Sequence, residues 1–360
     1  MRILALTKYG SLAASTRQRF LQYVPYLREF GLEVQHSPLL GNDYVRHLGS
    51  ATSKISIFLL REYLERMRLV VSASKYDLLW IQYELFPYLP AMFERLGLLP
   101  QRPLVFDFDD AIFNMYDNAS NALVRSILRG KLAPLLSRAD LCCCGNSYLM
   151  KYTQRFCSNT MVLPTVVDTK CYKPKKRTSS SLPVIGWIGS SSTAVYLKPL
   201  LPLLSHLAAS GIARVKIVGA GNCISASVPN FEILEWSQKR EIADVQSMDI
   251  GIMPLPDDEW ARGKCGFKLI QYMACGIPVI ASPVGMNNEI VGDGTSGYLA
   301  KSIDEWRIAV TRLIAQPEER LRLGKSGRAR VVRDYSTRTH APRLVAALKS
   351  VADGKPQARA

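Results

Sequence analysis

No two of the eight cysteines stand in C-x-x-C spacing, which argues against a zinc framework. Cys142, Cys143 and Cys144 are consecutive. On a strand they alternate between faces and cannot staple a fold. The others, Cys157, Cys171, Cys223, Cys265 and Cys275, are scattered, so buried free thiols in a reducing cytosol are expected. No run of roughly 18 apolar residues occurs, so no bilayer-spanning helix is expected. The apolar stretch from Met1 to Leu6 is too short for a secretory signal, and Lys8 ends it. Histidine is sparse: His36, His47, His206 and His340 do not cluster, which fits structural or solvent-facing roles. Metalloprotease, P-loop and G-x-S-x-G patterns are missing. Gly186 and Gly189 fall short of a dinucleotide fingerprint.

Acidic residues are also short: 30 Asp and Glu face 46 Lys and Arg, for a net charge of +16. Such a balance attracts phosphorylated substrates, anionic lipid or nucleic acid, unless it serves solubility alone. Nucleic acid would call for aromatics among the cations, and the basic stretches mostly lack them. One stretch, residues 45–75, interleaves Arg46, Lys54, Arg61, Arg66, Arg68 and Lys75 with Ile57, Leu60, Leu64 and Leu69. It reads either as a helix resting on an anionic membrane or as a surface helix packed on its own domain. The other, residues 311–360, reads as terminal helices with solvated faces and a frayed tail from Gly354.

What is present is enough apolar material, 48% of 360 residues, for two cores. Short apolar runs at 3–7, 78–83, 104–108 and 141–144 alternate with helical patterns. Ser15 and Thr16 offer cap chemistry to a helix bearing Phe20, Val24, Leu27 and Phe30, with Pro25 as a kink and Gly31 as its stop. The polar segment 173–182 reads as a linker. Beyond it strands recur at 184–188, 215–218, 249–254, 277–281 and 297–300, with a helix at 194–210. Buried strands alternating with helices predict an α/β chain of two Rossmann-like domains, residues 1–172 and 183–335, facing across a deep interdomain cleft. Residues 336–360 form a last helix that can cross back to the first domain. Ligands in such sheets bind beyond the carboxyl ends of the strands.

The segment 262–289 carries the most chemistry. It reads as loop, helix, tight turn, strand and loop. Gly266 allows close approach of backbone to a ligand. The helix from Phe267 to Ala274 aims its N-terminus at whatever binds there, and unpaired N–H groups favour a diphosphate. Lys264 and Lys268 can add positive charge on one side, Gly276 stops the helix, and Pro278 opens the next strand.

The run Gln271-Tyr272-Met273-Ala274-Cys275-Gly276-Ile277-Pro278-Val279-Ile280-Ala281-Ser282, followed by Gly285 and Asn288-Glu289-Ile290-Val291, resembles the GT-B glycosyltransferases, in particular the retaining family 4. Gly186-Trp187-Ile188-Gly189-Ser190, Val218-Gly219-Ala220-Gly221 and Asp249-Ile250-Gly251-Ile252-Met253-Pro254 are similar to strand ends of its donor domain. Leu163-Pro164-Thr165-Val166-Val167-Asp168 is similar to its crossover. The resemblance implies transfer of a sugar from a nucleotide-diphosphate sugar to a glycan or lipid-linked acceptor, with retention and without an obligatory metal or other cofactor. It also implies a donor site at Gly189, Ser190, Lys264, Gly266, Phe267, Lys268, Gln271 and Glu289. The family's E-x7-E carboxylates align with Gly263 and Gln271. An amide can still hydrogen-bond ribose hydroxyls, Asp257, Asp258 or Glu259 could stand in for the first acid, and Lys264 and Lys268 could take the pyrophosphate.

Asp107, Asp109 and Asp110 close a buried strand where the family often has a histidine near the sugar. They could position sugar hydroxyls or hold a divalent ion, or one could cap the next helix. Arg17 or Arg19 could offset their charge. Catalysis is thus expected of Asp109, Asp110 and Lys268, and acceptor contacts of Arg17, Arg19, Glu84 and Asn146. The excess of positive charge suits a lipid-diphosphate acceptor at the inner membrane face, in the cytoplasm, as in bacterial surface-polysaccharide synthesis. A degenerate protein of this fold that binds without turnover is the alternative; an epimerase or phosphorylase of the same fold is another, for which no second phosphate site is seen.

Overall fold

The computed structural model describes residues 1–46, 55–95, 101–175, 182–225 and 227–354. The chain divides into two compact units. One comprises Met1–Thr165 and the chain from His340 onward; the other is Val166–Thr339. Residues 166–172 therefore group with the second unit. Of the segment read as a linker, residues 176–181 lie outside the described residues, as do His47, Lys54 and the tail beyond Gly354.

Among the described residues the first unit holds six parallel strands: β1 (Arg2–Tyr9), β2 (Glu33–Leu40), β3 (Leu78–Gln82), β4 (Leu104–Phe108), β5 (Leu141–Cys144) and β6 (Thr160–Val162). Their order is β2-β1-β3-β4-β5-β6. The second holds β7 (Val184–Ile188), β8 (Arg214–Val218), β9 (Phe231–Leu234), β10 (Ile250–Met253), β11 (Val279–Ala281) and β12 (Gly297–Leu299), ordered β12-β11-β10-β7-β8-β9 and again all parallel. Every residue of β3, β4, β5 and β7 is buried, because helices cover both faces of such sheets. The two expected Rossmann-like sheets are present. Strand order reverses between β7 and β10 in the second sheet, the switch point beyond which ligands bind in this architecture. The sequence reading passed over β2, an edge strand, where Pro38 is tolerated because no further strand needs its missing N–H.

Several helices differ from expectation. Ser15 and Thr16 lie inside the helix Ala14–Arg19, whose cap is Ala13. Pro25 divides rather than kinks the pattern: a 3-10 turn covers Leu21–Tyr23, and Val24–Glu29 restarts with proline in its first turn, where a missing N–H costs nothing. The basic helix Ile55–Val71 buries Arg66, which donates to the carbonyls of Thr7 (2.9 Å) and Ser37 (3.0 Å), while Leu60 and Leu64 are exposed. Arg328, on the helix Pro317–Asp334, is not solvated as expected. It donates to the carbonyls of Tyr172 (2.5 Å), Ala274 (2.7 Å) and Thr169 (2.8 Å). Six of the cysteines are buried; Cys171 and Cys223 are exposed.

Candidate functional site

In the second unit the turns after β7 and β8 touch through backbone. Gly189 N–H donates to the Val218 carbonyl (3.0 Å), and Gly219 N–H to that of Leu234 (2.8 Å). Gly219 has φ +82°, and a Cβ there would stand 2.2 Å from the Gly189 carbonyl oxygen. Neither glycine has room for a side chain of its own. The side chain that reaches Gly189 comes from elsewhere: Lys268 Cε lies 2.8 Å from where a Gly189 Cβ would be, and its ammonium stands 5.4 Å from the Trp187 ring centroid.

Lys268 is held there by its helix. Phe267–Ala274 begins at Gly266 in the left-handed region (φ +63°). Tyr272, one turn on, is buried against Gly251 of β10, and its hydroxyl accepts from Ile188 N–H at 2.9 Å. The helix start and its first-turn lysine are thereby fixed beside the carboxyl end of β7. The first N–H groups of any helix lack intrahelical partners and attract anions.

Gly266 has a packing role of its own: a Cβ there would meet Ile290 Cδ1, on the helix Met286–Val291, at 2.3 Å. Glu289 on that helix is exposed. Phe267 packs on the core beside Leu269 and Ile270. Ser190 precedes a short helix, and its N–H donates to Thr193 Oγ1 at 3.3 Å. The two lysines lie over different rings: Lys264 over Trp260 (5.4 Å) and Lys268 over Trp187 (5.4 Å). Asp257 pairs with Arg262 (2.8 Å) and Asp258 caps the helix Glu259–Arg262 through Ala261 N–H (2.7 Å). Gln271 is buried, and its amide nitrogen donates to Tyr172 Oη and Glu241 Oε1, both at 3.0 Å. Tyr172, Glu241 and Trp236 were missed in the sequence because they lie far from the motif in the chain.

In the first unit the acids after β4 separate into two settings. Asp107 is wholly buried and paired with Arg19 (2.7 Å), whose guanidinium also donates to the Leu163 carbonyl. Arg19 is therefore a core residue, which corrects its acceptor-side assignment. Asp109 is half-buried at the carboxyl end of β4. It accepts from the Tyr83 hydroxyl and, at 3.5 Å, from Thr165 Oγ1. Desolvation and then the Asp110 charge push its carboxyl up to about 6. The helix Ile112–Asp117 has Ala111 at its cap position, and Ile112 N–H donates to the Asp110 carbonyl (2.8 Å). Tyr83 holds φ +60°, an uncommon conformation for a non-glycine residue, which no sequence pattern announces.

Glu84 is also internal. It bridges Lys8 (3.1 Å) and Lys131 (2.9 Å) and accepts from Tyr116 Oη (2.5 Å), with all four groups shielded from water to differing degrees. This is a buried ion cluster, not an acceptor contact. Asn146 caps the helix Ser147–Thr153 through Leu149 N–H (2.8 Å). Arg17 folds back on the carbonyls of Ser11 (3.2 Å) and Leu12 (2.7 Å). Of the first-unit candidates, Asp109 and Asp110 keep a position at a strand end suited to chemistry.

Two six-stranded parallel sheets with these orders define the GT-B class of fold. Residues 183–316 match the family model Glycosyl transferases group 1. The MMP alpha-(1->4)-mannosyltransferase of Mycolicibacterium hassiacum is 30% identical over 204 residues, 51% of this chain and 47% of that protein; the chain thus spans about half the length of the relative it matches. Among solved structures, sucrose-phosphate synthase from Thermosynechococcus elongatus superposes with TM-score 0.70 at 14% identity, over 99% of this chain and 100% of that one. Anabaena HepE in complex with UDP-glucose gives 0.67 at 15% identity, over 97% and 100%. At these identities the structural likeness speaks for the fold.

Proposed function

We propose that the chain is a glycosyltransferase whose nucleoside-diphosphate sugar binds at the carboxyl ends of β7 and β8. One observation carries this: Lys268, in the first turn of Phe267–Ala274, is laid across the side-chain-free turn at Gly189. As the glycosidic bond to the diphosphate breaks, negative charge grows on the leaving group. A fixed ammonium and a helix N-terminus offset that charge where it develops, commonly the largest catalytic contribution. The same positive groups are our reason for assigning no obligatory metal. The mannosyltransferase relative and the HepE complex with UDP-glucose support a sugar nucleotide. Asp109, with its raised carboxyl, is the first unit's candidate to take a hydrogen bond or proton from an acceptor hydroxyl.

Retention of configuration, and a glycan or lipid-linked acceptor in surface-polysaccharide assembly, rest on the family resemblance. A net charge of +16 favours an acceptor carried on a lipid diphosphate, met at the inner face of an anionic membrane from the cytoplasm. No helix among the described residues is long and apolar enough to cross a membrane. The second reading, binding without turnover, is favoured by Gly263, which has no side chain where the family has its first glutamate.

A thermal-shift screen of nucleoside diphosphates and their sugars, followed by donor-hydrolysis and transfer assays, tests the proposal, because a ligand of the native state raises apparent stability. At least one is expected to stabilise the chain and to turn over. Lys268→Ala is expected to weaken the shift and to cut turnover about 10²- to 10³-fold. Binding without turnover would establish the second reading, and unchanged binding and turnover in the variant would remove Lys268 from the phosphate site.

A further inference from the structure

The alignment of Gln271 with a family glutamate leaves a charge unaccounted for, and the structure holds a carboxylate beside it. Glu241, in the helix Glu241–Gln246, is buried. Its Oε1 accepts from the Gln271 amide at 3.0 Å and from the Tyr172 hydroxyl; its Oε2 accepts from Trp236 Nε1–H at 2.9 Å. The Gln271 amide also donates to Tyr172 Oη at 3.0 Å.

These contacts decide which way the amide points. Amide nitrogen and oxygen differ little in shape, so the hydrogen-bond network must assign them. Turned over, Gln271 would set its oxygen against a carboxylate oxygen. As placed, the amide nitrogen faces Tyr172 Oη and Glu241 Oε1 together, and the side-chain oxygen of Gln271 can only accept. An acceptor-only group is what a carboxylate would have offered. Gln271 and Glu241 together also carry one negative charge, as a lone glutamate would.

The network borders the donor turns. Gln271 follows Lys268 by three positions, on the same side of the helix. Trp236 Cβ lies 3.1 Å from where a Gly219 Cβ would stand, and Gly219 contacts the Gly189 carbonyl. Glu241 is thus joined through Trp236 to the β8 turn, and through Gln271 to the helix whose lysine crosses the β7 turn.

We propose that Glu241, with Tyr172, is a positioning residue that locks the Gln271 amide so that its carbonyl oxygen is offered to the donor's ribose hydroxyls. This rests on the reading that a nucleoside diphosphate binds here. No charge transfer is involved; Glu241 acts by excluding the flipped amide. A glutamate at 271 facing Glu241 would place two carboxylates in contact, which cannot both stay ionised at low cost. The exchange of amide and carboxylate, Gln271→Glu with Glu241→Gln, restores one donor facing one acceptor.

The test is titration calorimetry of the full chain with UDP and GDP and with their 2′-deoxy and 3′-deoxy counterparts, in wild type, Glu241→Gln, Tyr172→Phe, Gln271→Glu and the exchange double variant. An amide at 241 can oppose only some of the three donors that now face it. Wild type is expected to prefer a ribonucleotide over a deoxy form by about 10-fold, the scale of one well-made hydrogen bond. Glu241→Gln and Gln271→Glu are expected to bring that ratio close to one. Tyr172→Phe, which removes only a hydroxyl, is expected to lower it partway and guards against a folding defect in the others. The exchange variant is expected to recover it to within about 3-fold. An unchanged ratio in Glu241→Gln, or an exchange variant no better than Gln271→Glu, overturns the proposal. If wild type binds none of the nucleotides, the donor-site reading falls first and takes this inference with it.

Discussion

Lys268 and Gly189 occupy one place: the lysine Cε is 2.8 Å from the position a Gly189 Cβ would take, with Trp187 ring carbons at 2.5 Å on the same point. The glycine is required here for close approach, and the group that approaches is a side chain of the protein itself.

Gly189→Ala is therefore expected to displace Lys268 and press on a buried indole. The lysine can move but the ring is wedged in the core, so a loss of about 1–3 kcal/mol in denaturant unfolding is expected, typical of overpacking. Nucleotide affinity should fall with it. A variant as stable as wild type that keeps full affinity would show that the turn has slack.

Asp109 should leave a mark on pH dependence. Burial and then Asp110 push its carboxyl up to about 6. If it receives a proton or hydrogen bond from the acceptor, kcat/KM should rise as pH passes through about 6, and Asp109→Asn should abolish that limb. The stability effect has the opposite sense. A carboxyl raised in the folded state binds more protons folded than unfolded between its ordinary value and 6, so its contribution is lost as pH rises through that window. Unfolding free energies between pH 4 and 7 in wild type and Asp109→Asn check this.

Glu84 predicts the reverse pH dependence. Burial alone would raise its carboxyl, but Lys8 and Lys131 overcome this and hold it below the usual range. Its contribution is present above the ordinary glutamate value and lost as pH falls through the folded one. Glu84→Gln leaves two shielded ammonium groups without their anion. A cost of about 3–5 kcal/mol is expected in urea unfolding at pH 7. A cost under about 1 kcal/mol would mean the cluster is hydrated.

Arg328→Met should loosen the end of the lysine helix. The guanidinium ties the Ala274 carbonyl, at that helix's C-terminus, to Thr169 and Tyr172. Loss of these charge-assisted bonds at a favourable helix end is expected to cost about 2 kcal/mol. Hydrogen exchange should show faster opening in residues 269–275 than elsewhere in the second unit.

The sequence was readable where one element carries the signal. Apolar runs marked most of the parallel strands, and the helix Phe267–Ala274 with its flanking glycines stood out by punctuation alone. It was less readable at residue roles. Arg19 and Glu84 look like cleft residues in a chain so basic, yet each meets its counter-charge inside the core: Asp107 lies 88 positions from Arg19, and Lys8 lies 76 from Glu84. Gln271 reads as an amide with both donor and acceptor to offer until Glu241, 30 positions earlier, and Tyr172, 99 earlier, are seen against its nitrogen.

By itself the sequence determined the class of fold, because hydrophobic periodicity and turn residues are local properties. It also determined where the helix Phe267–Ala274 starts, since a glycine followed by an eight-residue amphipathic run leaves few alternatives. Only the tertiary structure decided which charges are spent. A buried ion must find its partner through space, and distance along the chain says nothing of that. The same holds for Lys268: its helix was legible, but its seat over Gly189 depends on how that helix packs against β7 and β10.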